Sequence, residues 1–266
     1  MNHQQEREYL IKYLLKENKR YRGMELPGTD REQRDLLRAL MNVRAPGEIS
    51  SEFLRIQDDY LGEELRLRGV VSEDEWEDCG ENIFLWQGDI TRLRVDAIVN
   101  AANSGMTGCY QPLHNCIDNC IHTYAGVQLR CTCGKMMDEQ GHAEPTGQAK
   151  VTPGYNLPCR AVIHTVGPIV QGALTKEDER LLASCYESCL RAAEENGFGS
   201  IAFCCISTGV FGFPQRRAAE IAVKTVRNYR AEKGSAIKVV FNVFKDEDYE
   251  IYRNLLGQNQ GAEKRN

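Results

Sequence analysis

The sequence predicts an α/β protein, a layered sandwich around a mostly buried sheet, preceded by an all-helical N-terminal extension. Two observations lead there. From residue 82 onward, short apolar runs of strand length alternate with longer stretches of helical period. Before residue 80 only helical patterns occur, interrupted by Pro27-Gly28 and Pro46-Gly47. Strands that alternate with helices pack as layers, and the ligand sites of such sheets gather beyond the strand ends.

The elements follow in order. Tyr9, Leu10, Tyr13 and Leu14 recur at helical spacing and predict a helix over 4–24. Leu36, Leu37, Leu40 and Met41 predict a second over 30–43, and a third spans 51–66. Ser72-Glu-Asp-Glu75 resembles a capping box. This segment can serve as a lid, a docking surface or a brace, and composition does not choose among them. Strands are expected at Ile83–Trp86, Ala97–Val99, 147–152, 160–166, 200–206 and 237–243, with helices over 176–196, 217–230 and 246–256. The expected division is a helical extension (1–80), an α/β domain (81–257) and a frayed polar tail (258–266).

Net charge is -5, and it resides wholly in residues 1–80, with 18 acidic against 13 basic side chains; the remainder balances at 20 against 20. No basic stripe marks a nucleic-acid footprint, so direct nucleic-acid binding is not expected. No apolar run reaches the length of a membrane span, and the N-terminus has no apolar leader-like region. Eleven cysteines, an odd count, fit a disulfide framework poorly. A reducing cytoplasmic setting is expected, with some thiols in the core and some on metal.

The densest chemistry lies in Cys109-Tyr-Gln-Pro-Leu-His114-Asn-Cys116-Ile-Asp118-Asn-Cys120-Ile-His122. Cys109, His114 and Cys116 offer two thiolates and an imidazole within eight residues. Zinc accepts that donor set, and three protein ligands leave a fourth position open. Spacing alone leaves two readings, a metal or buried thiols in a cysteine-rich core. Cys120 is a rival ligand, and Cys131-Thr-Cys133-Gly134 is either another metal loop or an inert bend. His142 reads as surface polar. Asp118 and His122 sit one helical turn apart. The acid can serve as a general base or water orienter, or it can hold His114.

Two further loops stand at strand ends. Asp89, in Gln87-Gly88-Asp89-Ile90, can accept from an exocyclic amine such as that of adenine, or simply cap a turn. Ser207-Thr-Gly-Val-Phe-Gly-Phe213-Pro214 places two glycines in a hydroxyl-rich loop, which allows backbone N–H groups to wrap a phosphate. It is neither a P-loop nor a dinucleotide fingerprint. Phe211 or Phe213 can stack on a sugar or base, or pack in the core.

Gly88-Asp89-Ile90, Val99-Asn100-Ala-Ala-Asn103, the segment bearing Asp118 and His122, His164-Thr-Val-Gly167-Pro168 and Ser207–Phe213 come in this order. Together they resemble a macrodomain, the ADP-ribose-binding fold, over roughly residues 82–256. That resemblance implies a three-layer α/β/α sandwich with a mixed central sheet. Common protein-cleaving macrodomains carry a glycine run after the Asn-Ala-Ala-Asn segment. Here Gly108-Cys109 through Asp118 stands in its place, which, with the helical extension, resembles the zinc-containing microbial subclass. The resemblance implies one Zn2+ on Cys109, His114 and Cys116. It implies that Asp89 and Ile90 serve the adenine, that Asn103 bonds the distal ribose, and that Ser207, Thr208, Gly209, Val210, Phe211 and Gly212 enclose the diphosphate and distal ribose. Asp118 matches the catalytic acidic position, with Asn103 positioning and His122 one turn further on. The implied activity is hydrolysis of mono-ADP-ribose from modified protein side chains, with a lipoyl-carrier protein suggested as a target in the subclass. Zinc then orients and polarises while Asp118 handles the proton. A non-catalytic ADP-ribose reader and an O-acetyl-ADP-ribose deacetylase are the alternatives.

Overall fold

The computed structural model describes residues 1–257; the polar tail expected over 258–266 lies outside the described residues. Three helices come first, α1 (His3–Glu17), α2 (Asp30–Val43) and α3 (Ser51–Arg68). Asn2 and Thr29 start the first two with capping boxes closed by Gln5 and Glu32. The first helix ends earlier than its apolar period suggests. Asn18 leaves helical geometry and its side chain accepts from Arg20 N, so Lys19–Tyr21 form a separate 3-10 turn. Leu10, Ile11, Leu14, Leu37, Leu40, Phe53 and Ile56 build a core between these helices. Arg7 is buried within it, bonded to Gln33 and ion-paired with Asp30.

The sheet has seven strands in the order β1-β2-β7-β6-β3-β5-β4. These are β1 (Glu77–Asp78), β2 (Ile83–Gln87), β3 (Ala97–Ala102), β4 (Ala149–Pro153), β5 (Ala161–Val166), β6 (Ser200–Phe203) and β7 (Lys238–Val243). The five inner strands are parallel and the two edge strands antiparallel, which gives the mixed sheet expected. β5 is buried at every residue, because helices cover both faces. One helical layer is α4 (Ile117–Ala125) with α5 (Val127–Gln140). The other is α6 (Lys176–Glu195), α7 (Gln215–Lys233) and α8 (Asp246–Gly257).

Two local readings are corrected. Cys131 and Cys133 lie in the helix α5, not in a loop or bend. Sequence texture also places the start of the α/β core too late, since Val71 and Trp76 belong to the main core and β1 joins the sheet. Ser72–Glu75 forms a single 3-10 turn, with Ser72 N donating to Glu75 Oε1 (3.0 Å).

The extension docks on α4 and α5 through polar groups that complete helix ends. Gly126, with φ of 95°, caps α5 without a side chain, and Gln57 Oε1 from α3 accepts the Val127 N–H instead (2.9 Å). A Cβ at Gly126 would lie 2.6 Å from Gln57 Nε2, so only glycine admits that contact. In return, Arg130 Nη1 from α5 donates to the carbonyls of Met41 (3.2 Å), Asn42 (2.5 Å) and Arg44 (2.8 Å) at the end of α2. A buried guanidinium that satisfies terminal carbonyls holds both partners. Arg130→Met is expected to lower the unfolding free energy by about 3 kcal/mol. Urea titration measures it, and a loss below about 1 kcal/mol would contradict this reading of the dock.

Candidate active site and metal centre

β3 carries Asn100 two residues before its last paired residue, Ala102, with Asn103 just beyond its end. The parallel register places Asn100 opposite His164 of β5. Asn100 Nδ2 donates both to Asp118 Oδ1 (2.8 Å) and to His164 Nδ1 (3.1 Å). An amide nitrogen can only donate, so His164 Nδ1 accepts and its Nε2–H faces Thr152 Oγ1 at 2.9 Å. Asn103 Nδ2 donates to Gly108 O (3.1 Å) and to Asp118 Oδ2 (3.3 Å). Two asparagines therefore hold one carboxyl, near the start of α4.

Asp118 is buried, and burial pushes its carboxyl up to about 6, against the opposing pull of the Asn100 bond, the Arg130 charge and the Asn103 bond. His122 lies one turn further, with Nε2 3.6 Å from Asp118 Oδ1, too long for a hydrogen bond. Neither of its ring nitrogens has a partner. Burial, followed by the neighbouring His164 and Arg130, drives its basicity down, so it is a neutral imidazole. Gly108, with φ of 84°, lets the chain pass against that ring; a Cβ there would meet His122 at 2.8 Å.

Beyond Gly108 the chain forms the loop of Cys109, His114 and Cys116. Their ligand atoms lie within 4.8 Å of one another, and all three residues are half-buried. Cys109 Sγ and His114 Nδ1 are 3.5 Å apart. A tetrahedral zinc with ordinary Zn–S and Zn–N bonds separates sulfur from nitrogen by about 3.6 Å, so the trio fits that ion. Cys116 is also the N-cap of α4, its Sγ accepting from Asn119 N at 3.4 Å. A helix N-terminus favours a thiolate, whereas burial pushes this thiol up to about 12. A second close trio, His122, Cys133 and His164, is fully buried. There both nitrogens of His164 are already engaged by Asn100 and Thr152, so no lone pair remains for an ion.

The loops after β2 and β6 leave the same end of the sheet, because these strands run parallel to β3. Ser207 adopts φ of 65° and its hydroxyl is buried without a partner. Gly209, Val210 and Phe211 present consecutive N–H groups with no acceptor among the described residues, the arrangement a phosphate needs. Val170 N donates to Phe211 O (2.9 Å), tying the loop after β5 to this one. Phe213 is buried in the core, which leaves Phe211 as the half-buried aromatic of that loop. Asp89 Oδ1 caps its own turn, accepting from Thr91 N (3.0 Å) and Thr91 Oγ1 (2.7 Å), while Oδ2 accepts from Arg68 Nη1 (3.1 Å). Ile90 sits in the main core at 1% exposure, whereas Asp89 is half-buried.

Residues 99–222 match the Macro domain family. A Protein-ADP-ribose hydrolase from Treponema medium is 57% identical over 260 residues, covering 96% of this chain and 100% of the relative. The chain belongs to the macrodomain family. A Protein-ADP-ribose hydrolase from Staphylococcus aureus (strain MSSA476) is 47% identical over 252 residues, 94% of this macrodomain protein and 95% of the relative. Among solved structures, a Trypanosoma brucei macrodomain in complex with ADP matches with a TM-score of 0.66 at 30% identity, over 83% of this chain and 96% of that one. An Oceanobacillus iheyensis macrodomain with ADP matches with a TM-score of 0.61 at 34% identity, over 71% and 96%.

In this macrodomain the expected residues Asn103, Asp118 and His122 converge, with the Cys109–His114–Cys116 trio beside them. Cys120 stays outside the trio, near Arg38 of α2. His142 is exposed. Sequence reasoning missed Phe244, which is 76% exposed directly after β7. The Gly88 N to Val243 O bond (2.8 Å) brings it beside the Asp89 turn. It also missed Asn100, His164 and Thr152 as a hydrogen-bonded set, although the first two lie within quoted motifs.

Burial lowers His164 to about 4 from an ordinary 6.5. The unfolded chain therefore takes up this proton first as pH falls, and stability present above pH 6.5 is lost through the window down to 4. His164→Gln is expected to reduce the stability difference between pH 7.5 and pH 4.5 by about 2 kcal/mol in chemical unfolding. An unchanged difference would show that His164 is protonated in the folded protein.

Proposed function

We propose that this chain is a zinc-dependent hydrolase that removes mono-ADP-ribose from modified protein side chains. The observation that carries the reading is one carboxyl, Asp118, held by Asn100 and Asn103 two residues beyond the last ligand of the metal trio. The relatives that match nearly the whole chain bear the hydrolase name, and they support an enzyme of this type. The helical extension belongs to the working unit, because its helices pack on those that frame the site. No helix among the described residues is long and apolar enough to cross a membrane.

The residues take the following roles. Asp89 accepts the adenine amine and Phe244 stacks on the ring. The free N–H groups of 209–211 receive the diphosphate, and Ser207, Thr208 and Gly212 complete the enclosure. Asn103 hydrogen-bonds the distal ribose and fixes its C1 near Asp118. Asp118 orients a water and takes its proton while the water oxygen bonds to C1 and the C1 bond to the protein side chain breaks. Asp118 then gives up that proton to the departing side chain, and free ADP-ribose is the other product. Cys109, His114 and Cys116 would hold the zinc ion, which would supply Lewis acidity to the site. His122, neutral and buried, packs beside the acid and maintains the low-polarity surroundings that raise it.

Purified protein is expected to hold about one zinc per chain and to release ADP-ribose from a mono-ADP-ribosylated protein. Serine-, carboxylate- and arginine-linked substrates and a modified lipoyl-carrier protein form the panel. Asp118→Asn should keep zinc and ADP-ribose affinity but slow release by about 10²-fold or more, and Cys116→Ser should lose both zinc and release. ADP-ribose binding without release across the panel would make the protein a reader. Turnover confined to O-acetyl-ADP-ribose would make it a deacetylase, and normal release by Asp118→Asn would remove that residue from the reaction.

A further inference from the structure

The loop that carries the three proposed ligands makes few hydrogen bonds of its own. Within 109–116 the backbone contributes one, His114 N to Gln111 O at 3.3 Å. Leu113 adopts φ of 58°, a conformation an isolated leucine avoids. Something outside the loop sets this shape.

That support comes largely from α2. Arg38 Nη2 donates to His114 O (2.7 Å) and to Asn119 Oδ1 (3.0 Å). Asn119 in turn donates from Nδ2 to Gln111 O (3.0 Å), so Arg38 fixes both the loop and the side chain that braces it. One turn along α2, Asn42 Oδ1 accepts the N–H of the strained Leu113 (3.0 Å), while its Nδ2 donates to Thr123 Oγ1 on α4 (3.0 Å). Asn42 is 1% exposed. Arg130, which caps α2 with Nη1, reaches Cys109 O with Nη2 (3.3 Å). Backbone groups of Cys109, Leu113 and His114 are therefore held by α2 or by the arginine bound to its end. The two α2 side chains are four residues apart and face α4 together.

We propose that the helical extension is the template of the metal loop, with Arg38 and Asn42 as positioning residues, so that zinc affinity and docking of the extension are coupled. The inference rests on the zinc reading above. The α2 contacts reach carbonyl and amide groups of the loop and leave the sulfur and imidazole donors of the trio free. They therefore preset the loop without occupying the ion's position. Groups that orient metal ligands in this way typically contribute 10–100-fold to metal affinity. Coupling is reciprocal: whatever ties the loop to α2 more firmly in the zinc-bound state must also hold α2 more firmly when zinc binds.

The test uses the full chain and zinc itself, titrated against a colorimetric chelator. Arg38→Met and Asn42→Ala are expected to weaken zinc binding about 10–100-fold. Val240→Ala, a cavity variant in the remote sheet, should lower stability yet leave zinc affinity unchanged. Hydrogen exchange of wild type should show faster exchange in residues 30–43 once zinc is chelated, with β5 and β7 unaffected. Wild-type zinc affinity in both α2 variants, or exchange over 30–43 indifferent to zinc, would overturn the inference while leaving the metal site standing. A wild-type chain that binds no zinc would overturn the zinc reading and this inference together. If Asn42→Ala fails to fold, the partly exposed Arg38→Met and the exchange comparison decide the matter.

Discussion

The bond from Asn100 to Asp118 ties the end of β3 to the start of α4, and the catalytic end of the molecule is referenced to it. A buried carboxyl needs donors, and this one has two from a single strand exit. Because Asn100 and Asn103 flank the last residues of β3, the position of Asp118 follows from the sheet rather than from a mobile loop. Because His164 accepts the second Asn100 proton, the amide cannot turn over without leaving a buried nitrogen unpaired. The strand register, set by the buried face of β5, thereby fixes the orientation of the Asn100 amide and of the Asp118 carboxyl it holds.

The metal trio depends on the same anchor from the other side. Between Asn103 and Asp118 the chain must pass over His122, which Gly108 permits, and then return into α4 at Cys116. A span this short could adopt many shapes, and the structure selects one by supporting it from outside. The extension fills that role with side chains that an isolated α2 would turn to water. It is joined to the α/β unit by exchanged helix caps, Gln57 for α5 and Arg130 for α2. Arg68, at the end of α3, meets Asp89 and Thr91 and lies over the Tyr124 ring, so the extension also borders the Asp89 turn.

Much of this architecture was legible in the chain. The runs at 83–86, 161–166 and 238–243 are apolar because helices cover both faces, and such runs are visible without a structure. Residues of α6 show a plain helical period. α5 was hidden because it is covered on two sides: Cys133 faces the main core, while Gly134 packs so close to Pro46 that a Cβ would lie 2.8 Å from it. A helix buried that way has no single apolar stripe to read. β1 is two residues long and has no pattern at all. The candidate residues inside contiguous motifs were visible from their spacing and from the resemblance. Those that act across the fold were not: Asn100 meets His164 only through β3–β5 pairing, and Arg38 and Asn42 look like the polar side of an amphipathic helix. Phe244 gave no signal beyond being one aromatic after a strand.

One zinc held by Cys109, His114 and Cys116 with an open side toward ADP-ribose would leave a signature in the metal's own spectrum. X-ray absorption at the zinc edge, on the purified chain with and without ADP-ribose, tests it most directly. The expected spectrum has two sulfurs at about 2.3 Å and one imidazole nitrogen at about 2.0 Å, with a fourth light atom whose signal changes when ADP-ribose is added. A shell of four protein ligands that ADP-ribose leaves untouched, or a shell without sulfur, would contradict it.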